Sequence, residues 1–141
     1  LIKLFRLMTK HISEGKQMLK ILGFVGMVGL LSYGMADAAG LGAFIEINSI
    51  VIVFGGAAFY WLALGGTDQT RSSGLDNYGT GAIYFGWLGF AIGVMGMATN
   101  WADLDPDVLA PAFAIAMLTP FYGYITAWVV VPAIKSLTQD G

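Results

Sequence analysis

The chain has no cysteine, a single histidine and little charge, and each shortage removes a class of chemistry. Without cysteine there is no disulfide, no thiolate nucleophile and no cysteine-ligated metal. The lone His11 has no partner pattern around it and reads as a surface residue, not a ligand. No basic run of the kind nucleic acid demands is present, which excludes that class of partner. There is also no nucleophile–base set, metal-ligand cluster or phosphate-cradling loop, so enzymatic chemistry has no carrier and no cofactor is expected. Charged residues are 11% of the chain against 57% hydrophobic. A soluble domain of this length needs more charge to cover its surface. The composition is that of one integral membrane domain, with the lipid bilayer as solvent.

What is present is glycine and apolar sequence. Twenty glycines in so apolar a chain fit closely packed membrane helices better than loops. Four apolar runs stand out, at 19–36, 47–64, 80–98 and 108–134, each at least as long as the roughly 17 residues that suffice to span a bilayer. They predict an all-α fold of four transmembrane helices. Gly55 and Gly56 mark the second run as a place for a kink or a close crossing. Ahead of these runs, residues 1–18 read as an amphipathic helix. Leu1, Leu4, Phe5, Met8 and Ile12 share one face, and Lys3, Arg6 and Lys10 share the other, the pattern of a helix lying in the membrane interface. This basic stretch before the first apolar run leaves no evident cleavable signal peptide. The connections are DAAGLGAFIE at 37–46, the polar GGTDQTRSSGLDNYG at 65–79, TNWADLDPD at 99–107, and a short tail from Lys135.

Orientation follows from the cations. All seven, Lys3, Arg6, Lys10, Lys16, Lys20, Arg71 and Lys135, fall in segments that four crossings place on one side. The two opposite turns hold Asp37, Glu46, Asp103, Asp105 and Asp107 and no Lys or Arg. By the positive-inside rule both termini are cytoplasmic, and the chain is a multi-pass membrane protein.

The last two runs carry the most information. Gly86, Gly89, Gly93 and Gly96 are spaced three, four and three, along one side of a helix, where a neighbouring backbone can come close. The following run has its own line of small residues, Ala112, Ala116, Thr119, Gly123 and Ala127. It also holds Pro111, Pro120 and Pro132 and the hydroxyls of Thr119 and Thr126, features of a packed or water-lined interior. Each has a plain reading beside the functional one. Glycine stripes serve packing alone in many bundles, threonines bond their own helix carbonyls, and Asp103, Asp105 and Asp107 suit a solvated turn as well as an ion funnel.

These two runs resemble the A subunit of the bacterial flagellar stator, the MotA/PomA family. The residues that carry the likeness are Leu104-Asp105-Pro106, Ala110-Pro111, the stretch Ala114-Ile115-Ala116-Met117-Leu118-Thr119-Pro120-Phe121-Tyr122-Gly123, and Pro132-Ala133-Ile134-Lys135. Upstream, Phe44-Ile45-Glu46-Ile47-Asn48-Ser49 leading to Gly55-Gly56 is similar to the family's entry into its second helix. The resemblance implies a ring of five copies around the transmembrane helices of a single-span, MotB-like partner, whose aspartate binds the ion. It further implies that Phe90, Thr119, Pro120, Tyr122 and Gly123 face the ion path or the partner, with Pro106 at the outer mouth and Pro132 at the inner end. Two departures qualify this. The family inserts a large cytoplasmic domain between its second and third helices, where this chain has only 65–79. Sodium-type members also use threonines where this chain has Phe90 and Pro120, which turns the expected ion toward protons, with sodium as the alternative.

No Asp, Glu, His, Lys or Arg lies mid-span, so the chain supplies a lining without a titrating group, as the family logic requires. Two functions remain in view. One is the ring subunit of a small ion-driven rotary motor or energiser. The other is a non-conducting membrane scaffold of the same descent. The related ExbB/TolQ layout, three spans with an outside N-terminus, runs against the distribution of Lys and Arg.

Overall fold

The computed structural model describes residues 2–102 and 105–138, with side chains from residue 14 onward. Every regular element among them is helical. The chain divides into two compact units, with the division between Ala39 and Gly40.

The first unit is one helix, α1, over Ile2–Ala39. The sequence suggests an interfacial helix followed by a separate span from residue 19, whereas the backbone runs through without a break. The change at Leu19 is one of polarity, and polarity alone gives a helix no reason to stop. Proline is absent from this segment, and the glycines on either side of the change, Gly15 and Gly23, each cost only about 1 kcal/mol relative to alanine. The faces assigned to Leu1, Leu4, Phe5, Met8 and Ile12, to Lys3, Arg6 and Lys10, and to His11 lie outside the described side chains. From Glu14 to Ala39 the helix is long and apolar enough to cross a membrane.

The second unit contains three packed helices: α2 (Ile47–Ala63), α3 (Arg71–Thr99) and α4 (Pro106–Thr138). Of these α3 and α4 are long and apolar enough to span a bilayer, and α2 is apolar but shorter. At ~1.5 Å per residue it rises roughly 25 Å, just under the ~30 Å of a typical hydrocarbon core.

Local chemistry sets the ends. Glu46 caps α2, its carboxylate accepting from the Asn48 and Ser49 backbone N–H groups. The helix relaxes into a π turn over Val51–Gly55 and stops where Gly65 and Gly66 take positive φ values of 110° and 50°, a conformation that disfavours any residue with a Cβ. The carbonyls that α2 leaves open at this end are met by Gln69, whose Nε2 donates to Leu64 O at 2.7 Å and to Trp61 O at 3.4 Å. Asn77 Nδ2 donates to Gln69 Oε1 at 2.7 Å and holds it in place.

Residues 65–79, expected as a polar loop, are largely helix. Thr70 caps α3 by accepting from Ser73 N–H, and the helix begins at Arg71 instead of near Thr80. Gly74 and Gly79 look like loop residues in sequence but serve packing. A Cβ on Gly74 would lie 3.0 Å from Trp61 Nε1, and one on Gly79 would lie 3.3 Å from the Ala127 backbone. The pair is tied at this end by Lys135 Nζ, which donates to both Asp76 carboxylate oxygens at 2.8 and 2.7 Å.

At its other end α3 closes with Asn100 Nδ2 donating to Gly96 O at 2.8 Å. Then α4 starts on the Asp105 cap with Pro106 in its first turn. Asp103 and Leu104, part of the expected acidic turn and of the Leu-Asp-Pro motif, lie outside the described residues.

Candidate functional site

The two small-residue lines meet each other. A Cβ on Gly86 would stand 2.8 Å from Thr119 O and 3.0 Å from Pro120 Cα. On Gly89 it would meet the Thr119 side chain at 3.0 Å and Ile52 at 3.1 Å. On Gly93 it would lie 2.8 Å from Ala116 Cβ, and on Gly123, from the α4 side, 2.5 Å from Ala82 O. Glycine is therefore the residue that lets α3 and α4 touch almost backbone to backbone. Gly96, the last of the stripe, has nothing within 4 Å: there the helices part.

Proline shapes the same seam. Pro120 has no N–H, so the carbonyl one turn earlier, Ala116 O, loses its helical donor. Thr119 replaces it, its hydroxyl donating to Ala116 O at 2.8 Å. The Thr126 hydroxyl also donates to its own helix, to Tyr122 O at 2.8 Å beside the backbone N–H that already reaches it, at the start of a second π turn over Thr126–Val130. Both hydroxyl protons are thus used by their own helix, and both residues are buried. The plain reading of these threonines holds for their donors; the Thr119 oxygen keeps acceptor capacity.

Tyr122 lies across the start of α2. Its hydroxyl donates to Phe44 O and accepts from the Glu46 N–H, the latter at 3.1 Å. This clasp fixes the entry of α2 against α4, a role no sequence pattern announces because the partners are more than seventy residues apart. It also brings Glu46 beside the seam. Glu46 is held below the ordinary carboxylate range, chiefly by hydrogen bonding from Ser49 and then Asn48.

Where α3 and α4 part and α2 begins, a groove of about 550 Å³ opens. Gly89, Gly93 and Gly96 form one wall, Ala112, Ala116 and Thr119 a second, and Glu46, Asn48 and Ser49 a third, with Asn100 at its outer end. The groove joins three of the four stripe glycines to Thr119; Gly86 is buried deeper in the seam.

Phe90 belongs elsewhere. Its ring packs edge-on against Trp87 and Phe113, each at 5.8 Å. Trp87 Nε1 donates to Tyr124 OH at 3.1 Å, and the Tyr124 ring lies tilted against Trp128, centroids 4.5 Å apart. These five rings make a continuous aromatic row shared by α3 and α4. The prolines are spread out: Pro106 and Pro111 are exposed near the start of α4, Pro120 is buried, and Pro132 is half-buried beyond the π turn. Glu46, Asn100 and Gln69 are the polar residues that sequence reasoning undervalued. The carboxylate two positions before Asn48 and three before Ser49 was a legible capping signal.

Among the described residues no three His, Cys, Asp or Glu side chains could hold a metal. The family model for the MotA/TolQ/ExbB proton channel family matches residues 66–140, more than half of the chain and all of α3 and α4. Comparison with curated proteins and with solved structures gave no match.

Proposed function

The chain belongs to the MotA/TolQ/ExbB proton channel family, and from that membership we propose that it is the ring-forming subunit of a small proton-driven rotary motor or energiser. In this reading five copies surround the transmembrane helices of a single-span partner that carries the ion-binding aspartate. The helix α2 counts as a fourth crossing, completed by its flanking turns, and both termini face the cytoplasm of a bacterial inner membrane.

The observation that carries the reading is a lining with no titrating group of its own. From Asn77 to Thr99 in α3, from Val108 to Ile134 in α4 and throughout α2 there is no carboxylate, imidazole, amine or guanidinium. A proton relay needs a group that changes charge inside the membrane, so that group comes from a partner. Thr119 and the groove beside it offer an acceptor oxygen toward it. A single hydroxyl is a poor substitute for the several oxygens a sodium ion requires, which favours protons.

A second reading has its own support. Phe90 sits in a packed aromatic row and Pro120 stands where sodium-type members have a hydroxyl, as a scaffold that conducts nothing would allow. Native mass spectrometry after gentle detergent extraction separates the two. Five copies with two of a carboxylate-bearing single-span partner support the motor. A monomer, or a ring lacking such a partner, overturns it and leaves the scaffold.

A further inference from the structure

At the end of α3 away from the groove, a recess of about 410 Å³ lies where α2 finishes and α3 begins, within the size range of small-ligand sites. Trp61, Leu75 and Tyr78 wall it, Gly74 keeps its floor flat, and Thr67 and Arg71 stand at its rim. Three observations describe what it is suited to hold. Arg71 is the only cation between Lys20 and Lys135, and it is exposed. Among the described residues no carboxylate pairs with it. The Trp61 indole N–H has no acceptor among the described residues and is not fully buried. Finally, a tryptophan and a tyrosine mark the level where an apolar span meets the polar segment 65–70, as interfacial aromatics do.

We propose that this recess binds the headgroup of an anionic phospholipid of the inner leaflet. The phosphate sits between the Arg71 guanidinium and the Trp61 N–H, and the glycerol and upper acyl chain lie along Leu75 and Tyr78. A guanidinium matches a phosphate with paired donors, and basic pockets between helices on the cytoplasmic side select anionic headgroups. The leaflet assignment rests on the orientation proposed above; the headgroup chemistry does not.

The test is native mass spectrometry of the protein taken from nanodiscs of phosphatidylglycerol and phosphatidylcholine in equal parts. The wild type should retain phosphatidylglycerol in preference. Arg71→Gln should lower that retention about tenfold, the loss of one charge-assisted hydrogen-bonding group, and Arg71→Lys should restore part of it. Trp61→Phe, which keeps a ring and removes the donor, should give a smaller loss. Lys135→Gln removes a cation at the same end and should leave retention unchanged. Equal retention of the two lipids, no effect of Arg71→Gln, an equal effect of Lys135→Gln, or a polypeptide filling the recess in place of lipid would each overturn the proposal. Orientation has its own readout: labelling of Ser72→Cys by an impermeant thiol reagent in intact cells would overturn the leaflet assignment, whatever the lipid result and whatever the subunit count.

Discussion

The seam between α3 and α4 behaves differently at its two ends. From Gly79 to Gly93 it is closed, with neighbouring atoms where a Cβ would go, and the Lys135–Asp76 pair ties it beyond. At Gly96 it is open, with Asn100 and Glu46 facing a groove. One glycine stripe thus does two jobs. Gly86, Gly89 and Gly93 exist so that a backbone can come close, whereas Gly96 leaves space. The closed end gives the pair its rigidity, and the open end gives it a surface that a further helix or water can enter.

The largest effects are expected where the closed part is forced apart. Gly123→Ala places a methyl 2.5 Å from Ala82 O, and Gly86→Ala places one 2.8 Å from Thr119 O. Both obstacles are backbone, which cannot turn aside as a side chain can. Each substitution should cost about 1–3 kcal/mol as overpacking, Gly123→Ala the more, and should lower Tm measured in detergent by several degrees. An unchanged Tm for both would mean that the two helices slide easily and the seam is not what holds them.

How much of this could be read from the chain depends on the reach of each signal. Helical periodicity is local, so the stripe at Gly86–Gly96 and the line through Ala116, Thr119 and Gly123 were both visible, as was the helical membrane class. That the two lines meet each other, and that they part at Gly96, depends on the path of α4 and was not. Gly74 and Gly79 misled because glycine marks a loop and a close helix contact equally well; only Trp61 and Ala127 across the gap decide between them. Thr119 beside Pro120 could have been read together, since a proline frees a carbonyl that a preceding hydroxyl can reach. The Tyr122 clasp was beyond sequence, because its partners are backbone atoms of a distant turn.

The clasp is the next place to sharpen the comparison, because it fixes the floor of the open end. Tyr122→Phe removes a donor to Phe44 O and an acceptor for the Glu46 N–H while keeping the ring. It should cost about 1–2 kcal/mol and loosen the start of α2, seen as faster hydrogen exchange at residues 45–50 than in the wild type. Equal exchange would show that the Glu46 cap alone orders this turn.

A smaller effect comes from pH. The Glu46 carboxylate is held below its ordinary value of 4.5 by bonds to Ser49 and Asn48. A depressed folded pKa means that the cap contributes fully above about 4.5 and is lost as pH falls through the lower folded value. Because Glu46 is only partly buried, the contribution is modest. Glu46→Gln should flatten this acid limb of the stability curve and leave neutral-pH stability little changed; the same acid limb in the variant would assign it to other carboxylates.

The smallest expected effect is the most telling. Gly96→Ala adds a methyl where nothing lies within 4 Å, so stability should change by no more than the ~0.5 kcal/mol typical of a harmless surface change, and a helical alanine in place of glycine even gains a little. Gly96→Leu fills the groove and should likewise leave the isolated subunit stable. Its consequence belongs to assembly: if a further helix occupies the open end, the leucine variant loses copies or partner in native mass spectrometry while its unfolding curve stays put. Stability and stoichiometry that fall together would place Gly96 in the closed seam after all. Stability and stoichiometry that both hold would show that the groove is filled by lipid or water.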